Sequence, residues 1–302
     1  MAEARRPVAM IGLGIMGSAM SRNMIAAGFT VHGYDPSAAA QAAFVEMGGN
    51  LAPSAAAAAA EAEVILTCLP SAAALHAVVA DLTTLPPGGR ILAETSTLTL
   101  DDKEKARLAL ADIGIVMLDC PLSGSGSQAR TRDVLVYGSG PRDAWDCCLP
   151  VFQGFSRGPH HLGVFGNGSK MKFVANLLVA IHTVAAGEAF ALARKAGLDP
   201  QQMFDVVADG AGSSRALQVR GNMLIADRYL PVETMPLDLW RKDLRVIADF
   251  ATTLGCPTPM FAACAPLFQA AVASGYGDQD TAAVALVLET MAGLKREDTK
   301  HE

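Results

Sequence analysis

Gly12-Leu13-Gly14-Ile15-Met16-Gly17 follows the apolar run Val8-Ala9-Met10-Ile11 directly and leads into a helix-forming stretch. Few arrangements constrain a fold as tightly. The first glycine lets the chain turn sharply out of a strand, the second lets backbone approach a ligand, and the third lets the next helix pack closely. The helix N-terminus then offers unbonded N–H groups to phosphate oxygens. Strand, G-x-G-x-x-G and helix in that order predict a dinucleotide-binding unit. Leu13, Ile15 and Met16 join the three glycines as candidate cofactor contacts.

The first half keeps alternating in the same way. Short β-branched runs at 8–12, 30–34, 64–68, 90–94, 116–119 and 134–138 alternate with helical stretches at 16–27, 37–47, 54–60, 72–82 and 101–112. Such alternation implies a parallel sheet with helices on both faces. The alanine run 55–60 reads as a short helix capped by Ser54 rather than as low complexity. From about Gly163 the strand signals stop. Helical patterns follow at 168–196, 200–208, 215–226, 237–254, 260–273 and 281–294. The chain is therefore expected to be α/β, with a doubly wound cofactor domain over 1–164 and an all-helical domain over 165–302. Its 302 residues suit two ordinary domains.

Asp35 closes the second strand, where a carboxylate accepts bonds from ribose hydroxyls and repels a 2′-phosphate. No Lys or Arg occurs between Arg22 and Arg90 to neutralise such a phosphate. NAD is expected over NADP. Leu69, Pro70 and Ser96 fall at strand C-terminal ends, where ligands bind; the alternative readings are that Pro70 only ends its strand and Ser96 only caps the next helix. Asp119-Cys120-Pro121-Leu122-Ser123-Gly124-Ser125-Gly126 follows another strand. Its small residues leave backbone N–H groups able to form a nest for a carboxylate, with the Ser123 hydroxyl as a further donor.

Lys172 and Asn176 stand one helical turn apart, just behind Gly163, Gly166 and Gly168. Residues at i and i+4 share a helix face, so an amine and an amide point into one space. Together they suit a hydroxyl beside a carboxylate. Oxidising that hydroxyl moves a proton off oxygen, and a neutral lysine amine accepts it. A free lysine titrates near ~10.4, so oxidation is expected to run best at alkaline pH.

Four motifs in order carry a family resemblance: Gly12 to Gly17, Asp119-x-Pro121-x-Ser123-Gly124, Gly163-x-x-Gly166-x-Gly168-x-x-x-Lys172-x-x-x-Asn176, and Lys242-Asp243-Leu244. The chain resembles the β-hydroxyacid dehydrogenases, which include 3-hydroxyisobutyrate dehydrogenase and tartronate semialdehyde reductase. The resemblance implies a Rossmann domain followed by a helical domain, with Lys172 catalytic. It further implies substrate contacts at Ser123, Gly124 and Asn176, and Lys242 on the nicotinamide side of the cofactor. Ser125 replaces a second glycine expected in the substrate loop, and Gln128 and Arg132 replace two more. The loop is expected to be stiffer and more polar, with Ser125, Gln128 or Arg132 able to reach a larger polyhydroxy acid. An imine reductase, or a non-catalytic NAD-binding scaffold, would share the fold. Both commonly lack the lysine present here.

The balance of 24 basic and 30 acidic residues, with no basic tract, argues against nucleic acid as a partner. Six scattered cysteines without C-x-x-C spacing point to a reducing cytoplasm and no metal site. The apolar stretch 173–193 is interrupted by His182 and Glu188, and reads as a buried helix rather than a membrane span. A long apolar helix needs cover, so a homodimer or homotetramer is expected.

Overall fold

The computed structural model describes residues 6–294. The chain divides into two compact units, Met1–Lys172 and Phe173–Glu302. In chain order the first contains β1 (Val8–Ile11), α1 (Ile15–Ala26), β2 (Val31–Tyr34), α2 (Ala38–Glu46), β3 (Asn50–Leu51), α3 (Ala55–Ala60) and β4 (Val64–Thr67). It continues with α4 (Ala72–Leu82), β5 (Ile91–Glu94), α5 (Leu100–Ala111), β6 (Val116–Asp119), β7 (Leu122–Ser123), α6 (Gly126–Arg130), β8 (Leu135–Gly138), α7 (Arg142–Phe155) and β9 (Gly158–His161).

Six strands form one sheet in the order β3-β2-β1-β4-β5-β6, and every pair is parallel. Neighbouring residues on a strand feed different cores. Val8 and Met10 join one apolar cluster with Val64, Leu66, Phe152 and Phe155. Ala9 and Ile11 join another with Ile65, Leu92 and Leu110. Burial on both faces explains why these strands read as unbroken apolar runs. Because the strands are parallel, the turns after β1, β2, β4, β5 and β6 all leave the same edge of the sheet. The alanine helix α3 is present, with Ser54 Oγ accepting from Ala57 N at 3.1 Å.

Two expectations need correction. The strand expected at 134–138 does not extend the parallel sheet. It forms β8 in a separate three-stranded sheet, antiparallel to β7 and parallel to β9. Only Cys120 and Pro121 separate β6 from β7, too few for a crossover, so β7 starts a second sheet and β8 pairs with it. The sequence reading also missed α7, which holds Pro150 in its interior. Proline costs a helix about 3 kcal/mol, but here buried Ala144, Trp145, Cys148, Val151, Phe152 and Phe155 recur every three or four residues. Packing on that stripe outweighs the lost N–H.

Helix α8 (Asn167–Lys195) begins in the first unit and runs into the second. The second unit continues with α9 (Pro200–Ala208), α10 (Arg215–Ala226), α11 (Leu237–Thr253), α12 (Pro259–Ala271) and α13 (Val284–Met291). By length and composition alone α8 could cross a membrane. In the structure part of its apolar surface belongs to the unit's own core: Phe173 meets Phe250 with ring centroids 5.1 Å apart, and Gly187 lies against Leu288 and Ala285.

Candidate functional site

The turn after β1 has room for a ligand where the fingerprint requires it. A side chain on Gly12 (φ +93°) would come within 2.2 Å of the Cys68 carbonyl oxygen, and one on Gly17 within 1.9 Å of the Gly12 oxygen. These two glycines serve the fold. A Cβ on Gly14 would meet nothing within 4 Å, and its φ is an ordinary −65°. Neither strain nor crowding inside the protein accounts for that glycine; a closely approaching pyrophosphate would. No side chain caps α1 and its first turn carries no acid, so the helix N-terminus suits an anion. Ile15 is 61% exposed at the same turn. The residues present fit a dinucleotide.

Asp35 receives Leu13 N at 2.7 Å on Oδ2 and Ser37 N at 2.8 Å on Oδ1. The carboxylate thus locks the phosphate turn to the end of β2. It keeps lone pairs for ribose hydroxyls, since an ionised carboxylate has about four acceptor positions. Ser96 is buried, and its hydroxyl accepts from Leu69 N at 2.7 Å. The turns after β4 and β5 are therefore joined to each other, while Pro70 stands exposed beside them.

The substrate loop is less open than its composition suggests. Ser123 lies on β7 and pairs with Leu135. Gly124 adopts φ +143° and packs on Val134, leaving no space for a side chain. Ser125 caps α6 in a reciprocal box: its Oγ accepts from Gln128 N at 3.3 Å, while Gln128 Oε1 accepts from Ser125 N at 3.0 Å. The Gln128 amide nitrogen donates to Asp133 at 3.0 Å, and Arg132 donates to the Gln153 carbonyl. The structure therefore engages Gln128 and Arg132 within the protein, rather than freeing them for an acid. The segment that follows, Gly126–Arg130, is a short self-capped helix.

Ser169, Lys172 and Asn176 lie along one face of α8, and all three are buried. Asn176 Nδ2 donates to Asp243 Oδ2 at 2.9 Å. A carboxylate can only accept, so this bond fixes which end of the amide faces Asp243 and turns Oδ1 away from it. Lys242 Nζ lies 3.5 Å from Asp243 Oδ1 and is half-buried. Asp243 thus gathers two predicted site residues on α8 and α11. The Lys242-Asp243 motif was visible in the sequence, but nothing local showed that its acid reaches Asn176.

Cys120 has no nucleophilic character. Burial pushes its thiol well above the usual range, and neighbouring Cys148 and Asp119 add to the shift.

A strand-borne phosphate turn in a parallel α/β unit, followed by an all-helical unit, defines the chain as a nicotinamide-dinucleotide oxidoreductase. The profile of the NAD binding domain of 6-phosphogluconate dehydrogenase matches residues 7–168, and that of the NAD-binding domain of NADP-dependent 3-hydroxyisobutyrate dehydrogenase matches residues 166–288. The L-threonate dehydrogenase of Cupriavidus necator is 31% identical across 92% of this chain and 95% of its own. That of Escherichia coli K12 is 31% identical across 95% and 97%. The crystal structure of 3-hydroxyisobutyrate dehydrogenase from Salmonella typhimurium superposes with a TM-score of 0.85 at 30% identity, covering 94% of this chain and all of that one. The chain belongs to the β-hydroxyacid dehydrogenase family.

Proposed function

We propose that the protein oxidises a small β-hydroxy acid, of the 3-hydroxyisobutyrate, glycerate or threonate type, to its semialdehyde or keto acid, and catalyses the reverse reduction. The observation that carries this reading is the buried face of α8, where the Lys172 amine stands one turn from an amide oriented by Asp243. Gly12 to Gly17, Asp35, Leu69, Pro70, Ser96 and Lys242 are assigned to the cofactor. Bound NAD supplies the hydride acceptor. Lys172 as neutral amine takes the hydroxyl proton during oxidation, and as ammonium returns it during reduction. Asn176, uncharged, holds the substrate oxygen without competing for that proton. Ser123 and Gly124, with Ser125 behind them, hold the carboxylate. The L-threonate dehydrogenases among the relatives favour testing four-carbon polyhydroxy acids first.

Asp35 favours NAD over NADP. The same reading includes a homodimer or homotetramer. Helix α9 buries none of its own side chains, and Val174, Leu178, Leu192 and Val206 stand exposed in the second unit. Sedimentation as a monomer at micromolar concentration would remove that part.

Reduction of NAD and of NADP is to be followed at alkaline pH with L-threonate, glycerate and 3-hydroxyisobutyrate. Lys172→Ala is expected to lower kcat by about 10²- to 10⁴-fold while the cofactor dissociation constant holds. Native turnover in that variant, or oxidation rates independent of pH between neutrality and strong alkali, would end the assignment of Lys172.

A further inference from the structure

Glu94 and Asp119 face each other in register across β5 and β6, and both are fully buried. Two adjacent carboxylates repel, and Lys103 of α5 resolves the repulsion. Its Nζ lies 2.7 Å from Glu94 Oε2 and 2.7 Å from Asp119 Oδ1. Burial alone would strip the ammonium of its proton; attraction and hydrogen bonding to Asp119 and Glu94 outweigh it and hold the group above the ordinary lysine range. Lys103 therefore stays charged throughout the working pH range.

Both carboxylates also bind outward from this pair. Asp119 accepts Ser169 N on Oδ2 and Ser169 Oγ on Oδ1, each at 2.7 Å. Ser139 Oγ accepts the neighbouring Gly168 N at 2.9 Å. The first turn of α8 is thus capped by groups far away in the chain, whereas α2, α3, α4, α5 and α10 each use the serine or threonine just before them. A Cβ on Gly168 would lie 2.2 Å from the Tyr137 oxygen and 2.6 Å from the Asp119 oxygen, so the approach needs glycine. On the other side, Glu94 Oε1 accepts from Ser96 N at 2.9 Å, and Ser96 Oγ accepts from Leu69 N at 2.7 Å. A chain of hydrogen bonds, with the Glu94–Lys103 ion pair as one link, runs from the turns after β4 and β5 to Ser169. That residue stands one turn before Lys172 on the same helix face.

We propose that Lys103, Asp119 and Ser169 are positioning residues, which tie the cofactor-side turns at Leu69 and Ser96 to the start of α8 and so set the placement of the Lys172 amine. The proposal rests on the reading of Lys172 as the proton-transfer group. Stability alone gives little reason for three buried charges, since well-packed apolar residues of similar volume commonly do as well or better. What the hydrogen-bonded links add is direction: each has one donor and one acceptor at a preferred angle.

The test is a double-mutant cycle on the intact protein with Ser96→Ala, Ser169→Ala and the pair, alongside Lys172→Ala. Steady-state oxidation of the best hydroxy acid and NADH binding are measured for each. Ser169→Ala keeps the backbone bond to Asp119 and loses only the hydroxyl bond. It is expected to lower kcat by about tenfold through misplacement of the amine, while the acid's KM and the NADH dissociation constant stay within about twofold. The pair is expected to lose less than the product of the single losses, because both weaken one chain of bonds. Ser169→Cys, similar in size but a weaker donor, should fall between native and alanine, and it replaces Ser169→Ala in the cycle if that variant does not fold. Native kcat in the Ser169 variants, or losses that multiply, would overturn the proposal while leaving Lys172 in place if Lys172→Ala is inactive. Turnover by Lys172→Ala would instead sink the proton-transfer reading, and the positioning proposal with it.

Discussion

The turns after β1 and β6 begin alike and end differently. Each leaves a parallel strand through glycines and small residues, and each opens a helix. After β1, no side chain returns to cap α1, and a Cβ on Gly14 would meet open space. After β6, Ser125 and Gln128 bond each other's backbone, and α6 satisfies itself within five residues. The difference lies in two positions, the cap and the third residue after it: Ser125 and Gln128 have side chains to bond with, and Gly14 and Gly17 have none. An open N-terminus can take a phosphate. A self-capped one contributes rigidity instead.

The contrast can be tested one glycine at a time. Gly12→Val combines a left-handed φ with a collision on the Cys68 carbonyl. Unfolding stability is expected to drop by about 4 kcal/mol or more, measured by denaturant titration. Gly14→Val meets open space, so the midpoint of unfolding should hold. NADH affinity is expected to fall about 100-fold, or ~2.7 kcal/mol, in a fluorescence titration. Equal stability loss in both variants would erase the distinction between a fold glycine and a ligand glycine.

Removing the second turn's own cap should cost less. Ser125→Ala is expected to lose about 1 kcal/mol of stability with cofactor affinity unchanged. A raised KM for the hydroxy acid at native stability would mean that Ser125 serves substrate before it serves the helix. The smallest effect concerns thiols. Cys147 and Cys256 are exposed, whereas Cys120 and Cys148 are buried with their thiols pushed up by burial. A raised pKa keeps a thiol protonated, and the thiolate is the reactive form. Alkylation at mildly alkaline pH is expected at Cys147 and Cys256 only, with Cys120 and Cys148 reacting after denaturation.

Much of the cofactor turn was legible because its signals are local. A glycine spacing, a preceding apolar run and a carboxylate about twenty residues on can be read without knowing any distant contact. Lys103 illustrates the limit. On α5 it occupies the same stripe as buried Ala106 and Leu110, so a charge on an apolar face was itself a visible anomaly. Nothing nearby says that two strand-end carboxylates, nine residues before it and sixteen after it, close around that charge. Asn176 and Asp243 are further apart still, at 67 residues.

The amino-acid order alone determined the α/β class, the glycine turn after β1, the carboxylate that closes β2, the lysine and amide sharing a helix face, and the change to an all-helical texture. Periodicity and turn chemistry act over a few residues, and those features need no more. Tertiary structure decided that β8 leaves the parallel sheet, that α7 forms despite Pro150, that Gln128 and Arg132 are engaged within the protein, and which remote carboxylates hold α8 and Asn176. Burial sets the value of each of those arrangements. A proline, an amide or a charge costs little in water, and its effect inside a fold depends on the partners that packing brings to it.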